Sequence, residues 1–151
     1  MIRVDPFDLK SALLARHAQH VVLIHFPIAL FLAGVAFDFA AQWRRNATLS
    51  AVAYYNLTVA AIFSLPVVAS GLAAWQWQLE GQRLKGTLLL HLILGISSSL
   101  LICLVWWLHF HGRKPERTLS KGRLPLEGLA AAVVALTAHL GGFLSGVNMP
   151  L

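Results

Sequence analysis

The dominant pattern in this sequence is a set of four long apolar runs, separated by short polar segments. A helix needs about 20 apolar residues to cross the hydrocarbon core of a bilayer, and each run is at least that long. The pattern therefore predicts four transmembrane helices. The runs extend from Val21 to Trp43, from Leu49 to Trp75, from Thr87 to Leu108 and from Leu126 to Val147.

The arrangement of residues within the runs favours helices over a membrane barrel. Apolar residues do not alternate with polar ones, as the strands of a barrel require, and a helix satisfies its own backbone polar groups in lipid. We therefore predict an all-α fold, a four-transmembrane-helix bundle over residues 20–151. Residues 1–19 are expected to form an N-terminal interfacial segment with a short helix from Pro6 to Arg16.

Composition and charge narrow the classes of protein. Apolar residues make up 58% of the chain and charged residues 12%, whereas a soluble domain carries about 25% charged residues. This balance excludes a water-soluble enzyme domain and makes the lipid bilayer the expected partner. The basic residues lie in connecting segments rather than on one face, so we expect no nucleic-acid partner and identify no soluble substrate.

The distribution of basic residues predicts an orientation. The most basic connection joins the third and fourth runs, and the positive-inside rule places it in the cytoplasm. Both termini are then expected on the outer side of the membrane. The basic residues of this connection are Arg113, Lys114, Arg117, Lys121 and Arg123.

The histidines are the main candidates for chemistry. His25, His91 and His139 lie on three different predicted helices at similar depth, and His20 lies at the mouth of the first. Ionisable residues inside a membrane are costly and usually mark a function, and imidazole is a common axial ligand of haem iron. The pattern predicts a site for haem b. His91 and His139 are the first pair of axial ligands, and His25 is the substitute.

Small residues near these histidines suggest a slot for a flat macrocycle. On the fourth predicted helix, Gly and Ala residues including Gly142 recur on the same face as His139, and Gly95 lies one turn from His91. Arg83 and Lys85 precede the third run, where they are placed to neutralise haem propionates. The protein would then be an electron carrier rather than a complete enzyme, with membrane protein partners in a redox complex.

Other interpretations remain open. Small residues at this spacing also serve close helix packing in lipid, and a histidine can simply bond to a neighbouring carbonyl. The chain is alternatively a non-catalytic accessory or structural subunit of a larger respiratory or photosynthetic complex, a protein that binds another metal, or a quinone-binding protein that uses His25 or His139. Asp38 is expected to reach the interface or to pair with Arg44 or Arg45, and His109 is expected to be interfacial.

Several motifs resemble those of a bacterial membrane protein family, the domain of unknown function 2231. The segment from His20 to Leu30 resembles the HPLLVHFPIAL opening of that family, and Gly71–Trp75 resembles its TGLLDW, with Ala74 in place of the acidic residue. His91 matches a histidine early in its third helix, and Ala138–Gly142 resembles its HxGG motif. The resemblance covers nearly all of the chain from His20 to Val147.

This resemblance implies a four-helix membrane fold with His20, His25, His91 and His139 as the family's histidines. It also implies a bacterial cytoplasmic (inner) membrane, in which the charge distribution places both termini on the outer, periplasmic side. It implies no defined activity. Some members of the family are fused to c-type cytochrome domains. This implies redox partners and favours the haem interpretation by analogy.

Overall fold

A computed structural model describes residues 16–81, 83–112 and 122–145 of the chain. These residues form four helices, and no strand occurs within the described ranges. Each helix is long and apolar enough to cross a membrane. The predicted all-α, four-helix bundle is therefore confirmed. The helices are α1 (Arg16–Arg44), α2 (Ala47–Gln78), α3 (Gly86–Gly112) and α4 (Arg123–Leu144).

The helices extend beyond the apolar runs that predict them. α4 begins at Arg123 rather than at Leu126, because Pro125 falls in the first turn, where a missing N–H removes no helical hydrogen bond. α1 already begins at Arg16, so residues 16–19 belong to it. The rest of the predicted interfacial helix and the predicted end of the fourth run at Val147 lie outside the described residues.

The four helices pack in a ring of antiparallel neighbours. α1 contacts α2, α2 contacts α3, α3 contacts α4, and α4 contacts α1. The indole N–H of Trp106 on α3 donates to the hydroxyl of Thr58 on α2 at 3.1 Å. The hydroxyls of Ser98 on α3 and Thr137 on α4 are hydrogen-bonded at 2.8 Å. These polar contacts fix the relative height of three helices.

The interior of the bundle is narrow, and many large apolar side chains are exposed on its surface. The core contains Phe31, Leu57 and Val105, all fully buried, together with small residues such as Ala60 and Ala130. Leu100, in contrast, is 66% exposed. In water such exposure would be unfavourable, whereas lipid is as apolar as these side chains and accepts them. The surface is therefore that of a membrane-spanning bundle.

The bundle has two ends that carry different chemistry. The end formed by the beginnings of α1 and α3 and by the ends of α2 and α4 is named here the His20 end. The opposite end, where α1 and α3 finish, is the His109 end. At the His109 end, α1 turns tightly into α2, and the side chain of Asn46 caps α2 by accepting a hydrogen bond from the backbone N–H of Leu49 at 3.1 Å.

Candidate functional site

A cavity of about 550 Å³ opens between the four helices at the His20 end. Its volume lies in the range that small-molecule and cofactor sites occupy, and such sites are usually apolar with a few polar groups. Apolar side chains such as Pro27, Trp75 and Leu88 form most of the wall. Two histidines from different helices, His20 on α1 and His91 on α3, also line it.

A hydrogen bond to α2 holds the ring of His20. Its Nδ1 lies 2.9 Å from the hydroxyl of Ser70 on α2. The same hydroxyl lies 2.9 Å from the carbonyl oxygen of Val67 on its own helix. When its single hydrogen points to that carbonyl, its oxygen accepts from Nδ1–H of His20. The lone pair of the neutral ring is then on Nε2, as metal ligation through Nε2 requires. A Cβ at Gly71 would lie 2.9 Å from Cε1 of His20, so only glycine fits behind the ring.

His91 contributes a second imidazole from the opposite side of the bundle. Its Nδ1 is buried and makes no hydrogen bond with good geometry to any group in the described part of the chain, although the backbone of Thr137 lies beside it. A Cβ at Gly141 on α4 would lie 3.1 Å from Cε1 of His91. Each cavity histidine therefore packs against a glycine of a neighbouring helix.

The structure places the other two predicted ligands elsewhere. His25 and His139 are exposed on the bundle surface, and neither lines the cavity. Nδ1–H of His25 donates to the carbonyl of Val21 on its own helix at 2.6 Å. The ring of His139 lies edge-on to Phe143 at a centroid distance of 5.0 Å. The structure thus brings His91 together with His20 and not with His139.

The face of α4 that is predicted to form the slot does not line the cavity. Arg123, Glu127, Ala130 and Val134 are the buried residues of α4, and their spacing continues to Gly141. Because adjacent residues point about 100° apart around a helix, the face that carries His139 is turned outward. Gly142, predicted to line the slot, does not line the cavity, which Gly141 lines instead.

The remaining predicted site residues lie at or near the cavity. Gly95 lines it, and nothing within 4 Å would contact a Cβ there. Arg83 and Lys85 are exposed and flank Leu84, which lines the cavity. These two cationic residues are therefore adjacent in sequence to a residue of the cavity wall.

A second polar cluster lies at the His109 end and was largely missed by reasoning from sequence. Asp38 and Glu127 are 0% exposed, His109 is 5% exposed and Arg123 is 6% exposed. We call these four residues the ionic cluster. Nη2 of Arg123 donates to both carboxylate oxygens of Asp38 at 2.8 Å. Nε2 of His109 and Oε1 of Glu127 are 2.8 Å apart.

Further contacts complete the ionic cluster. The side-chain amide of Gln42 donates to Oδ2 of Asp38 at 2.7 Å. Nε of Arg123 lies 3.1 Å from Oε1 of Glu127, a charge contact whose angle does not meet that of a hydrogen bond. The cluster therefore ties α1, α3 and α4 together at one end.

The cluster corrects two expectations. Asp38 pairs with Arg123 on α4, not with the neighbouring Arg44 or Arg45, and His109 is buried rather than interfacial. The ends of predicted membrane runs attract ionisable residues for many reasons, so their pairing was not evident from the chain alone. One signal was present: Asp38, His109 and Glu127 all lie near run ends on the same side of the predicted membrane.

A comparison with known protein families gives a match that includes both the cavity and the ionic cluster. A family model described as a predicted membrane protein, DUF2231, matches residues 16–148. The chain belongs to DUF2231. The resemblance seen in the sequence motifs is confirmed, and the DUF2231 match spans all four helices, the cavity and the ionic cluster. No curated protein and no solved structure matches the chain.

Proposed function

We propose that the protein binds one b-type haem in the cavity at the His20 end and transfers electrons to or from a membrane protein partner. One observation carries this proposal: imidazoles from two different helices, those of His20 and His91, line the same apolar cavity. In this proposal His91 keeps the ligand role that its sequence position suggests. His20 replaces His139 as the second axial ligand.

The chemistry of the residues around the cavity supports haem as the ligand. The Ser70 hydrogen bond orients the ring of His20, and such outer-shell contacts are typical of ligating histidines. Gly95 leaves open space in the wall. Arg83 and Lys85 are candidates to neutralise propionates at the membrane surface. The haem would supply one-electron chemistry, and the apolar wall would exclude water from it.

Quinone binding is the second candidate, and it is favoured by one specific feature of His91. The buried Nδ1 of this residue lacks a well-formed hydrogen bond within the described residues, and buried polar groups are normally satisfied. Nδ1–H would donate to a quinone carbonyl once the ring of His91 turned toward the cavity, because this atom is covered by the protein in the structure. The histidine involved would then be His91 rather than His25 or His139, both of which are exposed.

We further propose a bacterial inner membrane as the location, with the His109 end in the cytoplasm. The connection between α3 and α4 follows this end and carries the largest group of basic residues, which favours the cytoplasmic side. The cavity would then open in the outer half of the bilayer, and both chain termini would lie on the periplasmic side.

Absorption spectroscopy of purified protein tests the haem proposal. We would record reduced-minus-oxidised spectra of the wild type and of four single variants, His20→Ala, His91→Ala, His25→Ala and His139→Ala. The last two are matched controls, because they remove imidazoles that the structure places outside the cavity. Wild-type protein should show a b-type α band. His91→Ala and His20→Ala should lose the band or convert the iron to a high-spin form.

The outcomes separate the candidates. A band that survives His91→Ala but disappears in His139→Ala would overturn the ligand assignment. Absence of haem from folded wild-type protein supplied with haem would overturn the haem proposal. In that case, binding of ubiquinone to wild type and not to His91→Ala would support the quinone site. If the protein binds neither haem nor ubiquinone, the interpretation that remains is an accessory subunit in a larger complex.

A further inference from the structure

The ionic cluster at the His109 end has an unbalanced charge. It contains two carboxylates, those of Asp38 and Glu127, and one guanidinium, that of Arg123. With a neutral His109, the four side chains carry one net negative charge. All four are nearly or fully buried in an apolar bundle, where an uncompensated charge is strongly unfavourable. One additional positive charge makes the cluster neutral.

The hydrogen bonds show which of the two carboxylates lacks a compensating positive charge. Asp38 is well satisfied, because both of its oxygens accept from Arg123 and one also accepts from Gln42. Glu127 is less well satisfied. Its Oε1 faces Nε2 of His109 at 2.8 Å, whereas its Oε2 is buried with no hydrogen-bond partner among the described residues. The excess negative charge therefore lies on the side of Glu127 and His109.

We propose that the ionic cluster is a proton-binding site, in which one exchangeable proton is held by the His109–Glu127 pair. The proton resides either on the imidazole, which then becomes a cation that donates to Oε1, or on the carboxyl group through Oε2. Both forms make the cluster neutral. Release of the proton toward the aqueous surface at the His109 end restores the negative charge. This proposal does not depend on haem binding at the other end of the bundle.

A metal ion is a weaker explanation of the same residues. Asp38, His109 and Glu127 offer ligand atoms within 4.8 Å of one another. However, Nη2 of Arg123 already donates to both oxygens of Asp38, so a divalent cation would lie against a guanidinium. With a neutral His109, such an ion would leave the cluster with one net positive charge, whereas a proton leaves it neutral.

The neighbouring elements supply few other titratable groups. From α1 the cluster is faced by Asp38, and from α4 by Arg123 and Glu127. The helix α2 contains no Asp, Glu, Lys, Arg or His, and its titratable side chains are Tyr54 and Tyr55. On α3, His111 lies near the same end and its ring is hydrogen-bonded to the carbonyl of Trp107. The charged residues of positions 113–121 lie outside the described residues.

Infrared difference spectroscopy during a pH titration from about pH 5 to about pH 9 tests the proposal. The full chain in lipid nanodiscs would be compared with Glu127→Gln, His109→Gln and the matched control His111→Gln. Glu127→Gln leaves one carboxylate and one guanidinium, so the cluster is neutral without a proton and its titration should be lost. His109→Gln leaves Glu127 as the acceptor, so a carboxylic-acid C=O band should appear. The control should titrate at the cluster as the wild type does.

Each result decides for or against the site. Loss of one titrating group in Glu127→Gln, together with the carboxylic-acid band in His109→Gln, supports it. Identical titrations of wild type and Glu127→Gln would overturn it. If Zn²⁺ binds wild type with release of protons and does not bind His109→Gln, the cluster is a metal site and the proton proposal fails. If Glu127→Gln does not fold, the presence or absence of the carboxylic-acid band in His109→Gln still tests the proposal.

Discussion

The backbone of α1 at Gly34 lies directly against the side chain of Leu57 on α2. A Cβ at Gly34 would be 2.9 Å from both Cγ and Cδ2 of Leu57 and 3.3 Å from the carbonyl oxygen of Ala53. Leu57 is fully buried in the core, so it has little room to move. The close approach explains why these two helices form the most extensive helix pair of the bundle, since small residues allow membrane helices to pack tightly.

Gly34→Ala should therefore destabilise the bundle. The added methyl group would force Leu57 or the helix backbone to shift, and overpacking of this kind costs about 1–3 kcal/mol. The free energy of unfolding in mixed micelles would measure the effect. Gly128→Ala is the control, because nothing within 4 Å would contact a Cβ there. It should be neutral or slightly stabilising, and equal losses in both variants would contradict the packing argument.

The Asp38–Arg123 pair should be energetically coupled. Removing one partner of a buried ion pair leaves an unpaired charge and costs about 3–5 kcal/mol. Arg123→Gln should destabilise the fold by an amount of that order, because it leaves both Asp38 and Glu127 without the guanidinium. Asp38→Asn should cost less, because Arg123 keeps its contact with Glu127. The double variant should lose less than the sum, because neither Asp38 nor Arg123 is then left charged without the other. Additive losses in this double-mutant cycle, measured by the same unfolding assay, would show that the contact is not coupled.

The fold was largely predictable from the sequence because its cause is local. Each helix is specified by its own run of apolar residues, as in Gly86–Gly112, and lipid requires such a run to be helical. The first and last residues of each helix were less predictable, since the helices continue into the polar segments. Arg123 illustrates this: the sequence pattern predicts that it belongs to a basic connection, yet it is the buried first residue of α4.

The candidate site was less predictable because the rotation of each helix is set by its neighbours. His139 and Gly141 are two residues apart, yet only Gly141 lines the cavity. The pattern of small residues pointed to the face of His139, whereas the buried charges of Arg123 and Glu127 turn that face outward. Depth in the membrane was readable from the sequence. Which face of each helix points inward could be assigned only from contacts between helices, such as those of His20 with Ser70 and of Arg123 with Asp38.

Chemical labelling should show that the two ends of the bundle lie on opposite sides of the membrane. Thr48 at the His109 end and Gln76 near the His20 end are both exposed. Cysteines would be placed singly at these positions in a Cys103→Ala background. A membrane-impermeant maleimide added to intact spheroplasts should label Gln76→Cys, and should label Thr48→Cys only after permeabilisation. The reverse pattern would invert the proposed orientation and leave the fold unchanged.

Gly141→Ala should perturb ligand binding at the cavity through His91. The added Cβ would lie 3.1 Å from Cε1 of the imidazole, tighter than ordinary van der Waals contact, so the ring must tilt or shift. If His91 ligates haem iron, tilting the ring should weaken haem retention and alter the α band and the low-spin electron paramagnetic resonance signal. Gly128→Ala adds a methyl group to the same helix in open space and should leave both signals unchanged. Haem bound with wild-type spectra in Gly141→Ala would show that the ring of His91 is not held against the iron.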